Sequence, residues 1–368
     1  MNIFDSIVKP TLLLNGAAAR ANIQRMAAKA AAAGVSFRPH FKTHQSREIG
    51  EWFRPHGVEA ITVSSLDMAE YFAGAGWADI TLALSANVRQ VAQMDDLAGR
   101  IRLGLLAESP ETVAALARGL RHPVDLWLKV DTGSGRTGLA WDQPAALIEL
   151  ARQAAALPSL RLRGLLTHAG QTYTAPGPAG AAALFATSAA RINQVRAALQ
   201  AAGLGPLLVS VGDTPGCSAL DRFEGADEIR PGNFVFYDAK QYLAGACRFE
   251  EVAVALACPV VALHPERGEA VLYGGAIHLS NDALAWQDGR AHALAALPEG
   301  AGWGQPLPGC AVTRLSQEHG ILSMPPEQLA RLRVGDLVCL IPAHSCLTAQ
   351  AMGRYLTLDG HWIEMMRA

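Results

Sequence analysis

Between Val35 and Gly232 short apolar runs alternate with longer Ala-rich stretches. The runs are Val35–Arg38, Ala60–Val63, Asp79–Leu84, Arg100–Leu106, Val124–Val130, Leu160–Leu166, Leu207–Val211 and Asp227–Arg230, each of strand length. Between most of them lie patterns suited to helices. Leu147–Leu157 and Ala181–Ala202 are the clearest, and Gly203 stands where a helix stop belongs. Eight strands separated by helices predict an α/β fold, a (β/α)8 barrel of the TIM type. A doubly wound open sheet has the same alternation, so periodicity leaves both open. Past about residue 245 the texture becomes strand and turn: Val252–Leu263, Ala270–Tyr273, Cys310–Leu315, Asp336–Ile341 and Tyr355–Leu358, punctuated by Gly268, Gly309, Gly335 and Gly360. This reading divides the chain into a barrel, 15–245, and a β-rich domain, 246–368, which the extended residues 1–14 are able to join.

Composition narrows the function. The chain has 368 residues, enough for a barrel-sized domain and a smaller one, and a formal net charge of -2, with no excess of positive charge to suggest a nucleic-acid partner. The longest apolar run, Val252–Leu263, is interrupted by Pro259 and too short to span a bilayer. Met1–Pro10 has no signal-peptide core, so the expected location is cytoplasmic. The six cysteines form no C-x-x-C pair and read as free buried thiols, Cys346 excepted for the reason given below.

Candidate chemistry gathers where barrel strands end. Arg38-Pro39-His40-Phe41-Lys42-Thr43-His44 follows the first strand and sets a lysine among aromatic and imidazole neighbours that favour a neutral, nucleophilic amine. Gly133-Ser134-Gly135-Arg136-Thr137-Gly138 matches G-x-G-x-x-G, but the next strand ends without the acid a dinucleotide site needs. A glycine-lined rim loop presenting Arg136 is the better reading. His168 and Tyr173, after the sixth strand, suit stacking on or hydrogen bonding to an aromatic cofactor. The loops holding Thr214 and Gly216, and Gly232 and Asn233, follow strands seven and eight, where barrels bind phosphate. His344 and Cys346 lie two apart after a strand, a spacing that suits zinc.

Together, R-P-H-x-K-T-H at Arg38–His44, the Asp131–Gly138 segment, T-H-x-G-x-x-Y at Thr167–Tyr173, G-D-T-P at Gly212–Pro215, R-P-G-N at Arg230–Asn233, S-Q-E-H-G at Ser316–Gly320 and H-x-C at His344–Cys346 resemble the D-serine dehydratase-like and D-threonine aldolase-like proteins. These are fold-type III pyridoxal-phosphate enzymes related to alanine racemase. The resemblance implies a cofactor Schiff base on Lys42 and a homodimer. It implies that Arg136 and His168 contact the cofactor's O3′ and ring face, that Arg230 lies beside its ring nitrogen, and that Thr214, Gly216, Gly232 and Asn233 lie near its phosphate. It also implies zinc, or another divalent ion such as manganese or cobalt, on His344 and Cys346. The aldolase branch usually carries His-x-Asp there, which favours a dehydratase acting on a D-β-hydroxy amino acid. D-Serine, D-threonine and 3-hydroxy-D-aspartate remain as substrates. Retro-aldol cleavage, then racemisation, are the alternatives, and a non-catalytic cofactor carrier is disfavoured by the β-rich domain. Tyr273–Ser280, with its extra His278, departs from the family wording.

Overall fold

The structure is a computed structural model that describes residues 3–367. It comprises two compact units. One holds Gln24–Lys42 and Gly50–Gly232; the other holds the N-terminal segment through Ile23, Thr43–Ile49 and the chain from Asn233 onward. The chain thus passes from one unit to the other at the Lys42–Thr43 peptide bond.

All eight expected barrel strands form. Around the sheet their order is Ser36–Phe37, Glu228–Ile229, Leu208–Val211, Leu160–Leu166, Val124–Asp131, Arg102–Ala107, Asp79–Ser85 and Ala60–Val63, with every pairing parallel. One parallel bridge between His40 and Thr62 brings the two ends of this order together. Thr62 N–H donates to Pro39 O at 2.9 Å, and Phe41 N–H to Thr62 O at 2.8 Å. The result is a nearly closed TIM-type barrel, which removes the doubly wound alternative.

Alternate residues of Val124–Asp131 share a face, and they span the barrel from floor to rim. Asp125 lies at the floor, in a line of alternating charges that runs Glu228, Arg38, Asp79, Arg102, Asp125, Arg161 with closest approaches of 2.6, 2.6, 3.4, 2.6 and 3.0 Å. Trp127, two residues on, packs with Leu106 and Leu166 in the core. Lys129 comes next, 5% exposed, and Asp131 reaches the rim.

In the other unit, Glu269–Tyr273, His319–Ser323, Ala311–Leu315, Ala293–Ala296, Leu337–Pro342 and Val254–His264 pair in that order, antiparallel throughout. Val254–His264 then pairs again with Glu269–Tyr273, closing a ring of strands, aided by an irregularity between Val260 and Ala262. Thr11–Leu14 joins this sheet between Val254–His264 and Arg354–Thr357. Ala293–Ala296 was not expected as a strand: Ala-Leu-Ala-Ala has helical composition, and burial between two strands overrides it. His319–Ser323 and Trp362–Glu364 are likewise additional strands.

The two glycine-bearing segments of this unit are one interlocked device. Gly274 N–H donates to Glu318 O at 2.9 Å and Ala276 N–H to Ser316 O at 2.8 Å. A Cβ on Gly275 would lie 2.4 Å from both Ser316 O and Gln317 O, and one on Gly320 would lie 2.7 Å from Gly274 O. The Ser316–Gly320 turn therefore serves through its carbonyls. Gly275→Ala has no flexible neighbour to displace and is expected to cost about 3 kcal/mol or more of unfolding free energy, read from urea denaturation.

Candidate active site

In the barrel unit, each residue of the first rim segment has its own task. Arg38 starts the floor chain. Phe41 is fully buried against Phe53, Phe72 and Trp77, with ring centroids 4.9, 5.0 and 5.1 Å away. That packing anchors the peptide on which Lys42 is exposed. His40 Nδ1 accepts from Lys42 N–H at 3.4 Å. Burial, then the charges of Lys42, Arg230, His168 and Arg136, hold His40 well below its ordinary pKa. His168 is fixed by a 2.6 Å contact of Nδ1 with Gly212 O, and its ring lies 6.0 Å from that of Tyr173. Burial, with Lys42 and Arg136, lowers its pKa to about 3. Both imidazoles are therefore neutral at neutral pH.

Arg230, 4% exposed, donates from Nε to Ser210 Oγ at 2.7 Å and from Nη2 to Thr167 O at 2.5 Å. Ser210 in turn donates to Glu228 Oε1 at 2.6 Å. Burial lowers the Arg230 pKa to about 10, so the guanidinium keeps its charge. Lys129 is a residue the sequence reading missed. Burial, with Arg230 and Arg136 nearby, lowers it to about 7, leaving a substantial neutral fraction.

The rim loops show where backbone amides go. Asp131 Oδ1 accepts from Gly133, Ser134 and Gly135 N–H at 2.9, 2.8 and 3.2 Å. The G-x-G loop is thus closed on its own carboxylate, and its amides are not free to cradle a pyrophosphate. Thr214 N–H donates to the Tyr173 hydroxyl at 3.3 Å, and Gly216 N–H to Asp213 Oδ1 at 2.6 Å. A Cβ at Gly212 would meet the Arg230 backbone at 2.8 Å, so these two loops approach as only glycine permits. Gly232 is buried beside Pro231, whose carbonyl takes His40 N–H at 2.9 Å.

Asp213 has a pH signature. Burial raises its carboxyl to about 6 against bonds from Thr172 and Gly216. A raised acid favours folding below its unfolded pKa of 3.8 and loses that contribution as pH climbs through about 6. Asp213→Asn keeps the acceptor and cannot ionise. From about pH 4 to about pH 7 its stability relative to wild type should therefore rise by about 3 kcal/mol, read from denaturation of the cofactor-free proteins.

The β unit holds the second constellation. Cys346 Sγ lies 3.3 Å from Thr43 Oγ1 and 3.6 Å from Asn233 Nδ2. Asn233 also donates to Asp238 at 2.8 Å and Ser345 Oγ at 2.9 Å, so its amide nitrogen serves this cluster. Burial opposes a charge on His344, yet Cys346, hydrogen bonded to it, together with Asp282 and Asp238 raises its pKa to about 10. His278, the residue that departs from the family wording, accepts Gly275 N–H on Nδ1 at 3.2 Å and packs edge-on against Tyr273.

Both constellations fit the groups the resemblance implied. Lys42, Arg136 and Arg230 act on two neutral imidazoles, an excess of positive charge suited to an anionic ring cofactor. An imidazole hydrogen bonded to a thiol, with the buried Asn233 Oδ1 beside them lacking a hydrogen-bond partner, suits a divalent metal. Among the described residues, no group of three or more His, Cys, Asp and Glu stands ready as a metal cage, and no helix is long and apolar enough to cross a membrane. All six cysteines are buried, and none of them is in a disulfide among the described residues.

Comparison with known proteins agrees. Residues 14–240 match the alanine racemase N-terminal domain and residues 253–358 a serine dehydratase domain described as putative. D-threo-3-hydroxyaspartate dehydratase of Delftia sp. (strain HT23) is 32% identical over 92% of this chain and 91% of its own. The D-serine dehydratase of Dictyostelium discoideum is 26% identical over 96% and 94%. The solved Delftia enzyme superposes with a TM-score of 0.91 at 30% identity, covering 100% of this chain and 99% of its own. A cysteine-to-alanine variant of D-threo-3-hydroxyaspartate dehydratase has been solved in a metal-free form, with a TM-score of 0.92, 30% identity and 100% coverage of both chains. The chain belongs to the alanine racemase N-terminal domain family, within the group of fold-type III pyridoxal-phosphate proteins that contains the D-serine dehydratases and D-threonine aldolases.

Proposed function

We propose that this protein is a metal-assisted dehydratase of D-β-hydroxy amino acids, with pyridoxal phosphate bound through Lys42 and a divalent metal on His344 and Cys346. The carrying observation is the hydrogen-bonded His344–Cys346 pair, held from behind by Asp282, Asn233 and Thr43. Cysteine at this position also matches the dehydratase wording of the family. When bound, the cofactor supplies an electron sink at Cα and the metal a Lewis acid for the departing β-hydroxyl.

The chain's own groups do the rest. Lys42 Nζ takes the α-proton as general base. Burial and neighbouring cations hold His40 and His168 neutral beside it. Arg230, pinned by Ser210 and Thr167, keeps a fixed cation at the ring-nitrogen position. Arg136, at the rim, would contact O3′. Thr214, Gly216, Gly232 and Tyr173 line the phosphate end. Loss of the α-proton and β-hydroxyl leaves an enamine, and water then releases ammonia and a 2-oxo acid. A homodimer is part of this proposal, with sedimentation velocity as its check.

Product analysis tests the reading. D-Serine and D-threo-3-hydroxyaspartate should each be offered to metal-replete holoprotein, with D-threonine as the aldolase probe. Ammonia and a 2-oxo acid, lost on chelation, support the dehydratase. Glycine and an aldehyde would replace it with the aldolase.

A further inference from the structure

We propose that Asp282 is the positioning residue of the metal pair: clamped by Lys240, it accepts the Nδ1 proton of His344 and so presents Nε2 to the metal. The inference rests on the metal reading above and adds a residue to it. His344 precedes the helix Ser345–Met352 at its N-cap position, yet its side chain makes no capping bond. The ring is engaged elsewhere, with Nδ1 3.3 Å from Asp282 Oδ2 and the Cys346 side chain within hydrogen-bond reach. The other Asp282 oxygen lies 2.6 Å from Lys240 Nζ and also accepts Ala283 N–H at 2.8 Å. The carboxylate is therefore held at both oxygens and cannot swing away from the imidazole.

The backbone around Asp282 is set with the same care. Ser280, two residues earlier, has φ 73° and ψ 171°, a conformation that is essentially confined to glycine. Its hydroxyl accepts Asp282 N–H at 3.2 Å, and Asp282 O contacts His292 Nδ1 at 2.9 Å. A serine retained where glycine would relax the chain supplies the hydroxyl that orients the carboxylate-bearing residue. Thr348 Oγ1 donates to Leu279 O at 3.0 Å and ties this segment to the helix that carries Cys346. A carboxylate behind a metal-ligating histidine fixes the tautomer and raises the basicity of the ligating nitrogen.

Zinc affinity, measured by titrating metal-stripped full-length protein against a chromophoric chelator, tests this without recourse to turnover. Asp282→Ala should bind Zn2+ about 10–100-fold more weakly than wild type, with cofactor absorbance unchanged. Asp282→Asn keeps an acceptor for Nδ1 and should lose less. Cys346→Ala should lose the site outright. Wild-type affinity in Asp282→Ala, alongside loss in Cys346→Ala, would overturn the role of Asp282 and leave the metal pair standing. If Asp282→Ala does not fold, wild-type affinity in Asp282→Leu, similar in shape but offering Nδ1 no acceptor, overturns it equally. Failure of the wild-type protein to bind Zn2+ removes the metal reading and this inference together.

Discussion

Lys42→Ala is expected to abolish the visible absorbance of bound cofactor and to lower turnover by at least about 10³-fold, since it removes both the covalent anchor and the general base. The prediction carries weight because the barrel contains a rival. Lys129 is buried and has a pKa of about 7, the range from which an amine attacks an aldehyde readily. Its surroundings differ from those of Lys42. Lys129 projects from the middle of a strand, one layer above Trp127, with Asp131 and Glu108 drawing it back toward the charged form. Lys42 stands exposed on a rim segment braced by the Phe41 packing, where an incoming substrate amine can displace it. Lys129→Met should therefore keep the absorbance. Borohydride reduction followed by peptide mapping reads the answer directly: label on the Lys42 peptide supports the assignment, and label on the Lys129 peptide reverses it.

The second large effect is at Cys346. On the proposed metal reading Cys346→Ala removes one of two protein donors, and a Lewis acid is worth several kcal/mol at a developing alkoxide or hydroxide. Turnover should fall on the order of 10³-fold, with cofactor absorbance retained. Cys346→Ser should sit close to the alanine variant, since a hydroxyl holds a soft metal poorly. Equal activity in wild type, Cys346→Ala and chelated enzyme would remove the metal from the reaction.

The barrel was legible because parallel strands buried on both faces read as continuous apolar runs bounded by turns. The same feature hid Lys129, which sits inside Asp-Leu-Trp-Leu-Lys-Val-Asp and looks like a break in a hydrophobic run. Its depressed pKa comes first from burial and then from Arg230, distant in sequence, and Arg136, none of which the surrounding run announces. The rim motifs were legible as motifs, but several of their roles were not. Arg38 serves the floor, His40 touches the Lys42 amide, Thr43 lies beside Cys346, and His44 O accepts the Tyr355 hydroxyl at 2.8 Å. Asn233, expected near the phosphate, spends its amide nitrogen on Asp238, Ser345 and Cys346. Asp282 lies in Ser-Asn-Asp, a composition that any surface turn shares.

The place of Thr11–Leu14 in the β sheet has a consequence for synthesis on the ribosome. Leu13 pairs with Ala255 on one side and with Leu356 on the other, so this strand has both neighbours among later-made segments. Until they emerge, Leu12, Leu13 and Leu14, almost wholly buried in the finished protein, have no sheet to enter. The nascent chain must carry a sticky apolar tripeptide until those segments emerge, which makes this strand a natural point for chaperone capture. For the same reason a stop codon before Arg354 would leave one edge of that strand bare and convert a folding delay into aggregation.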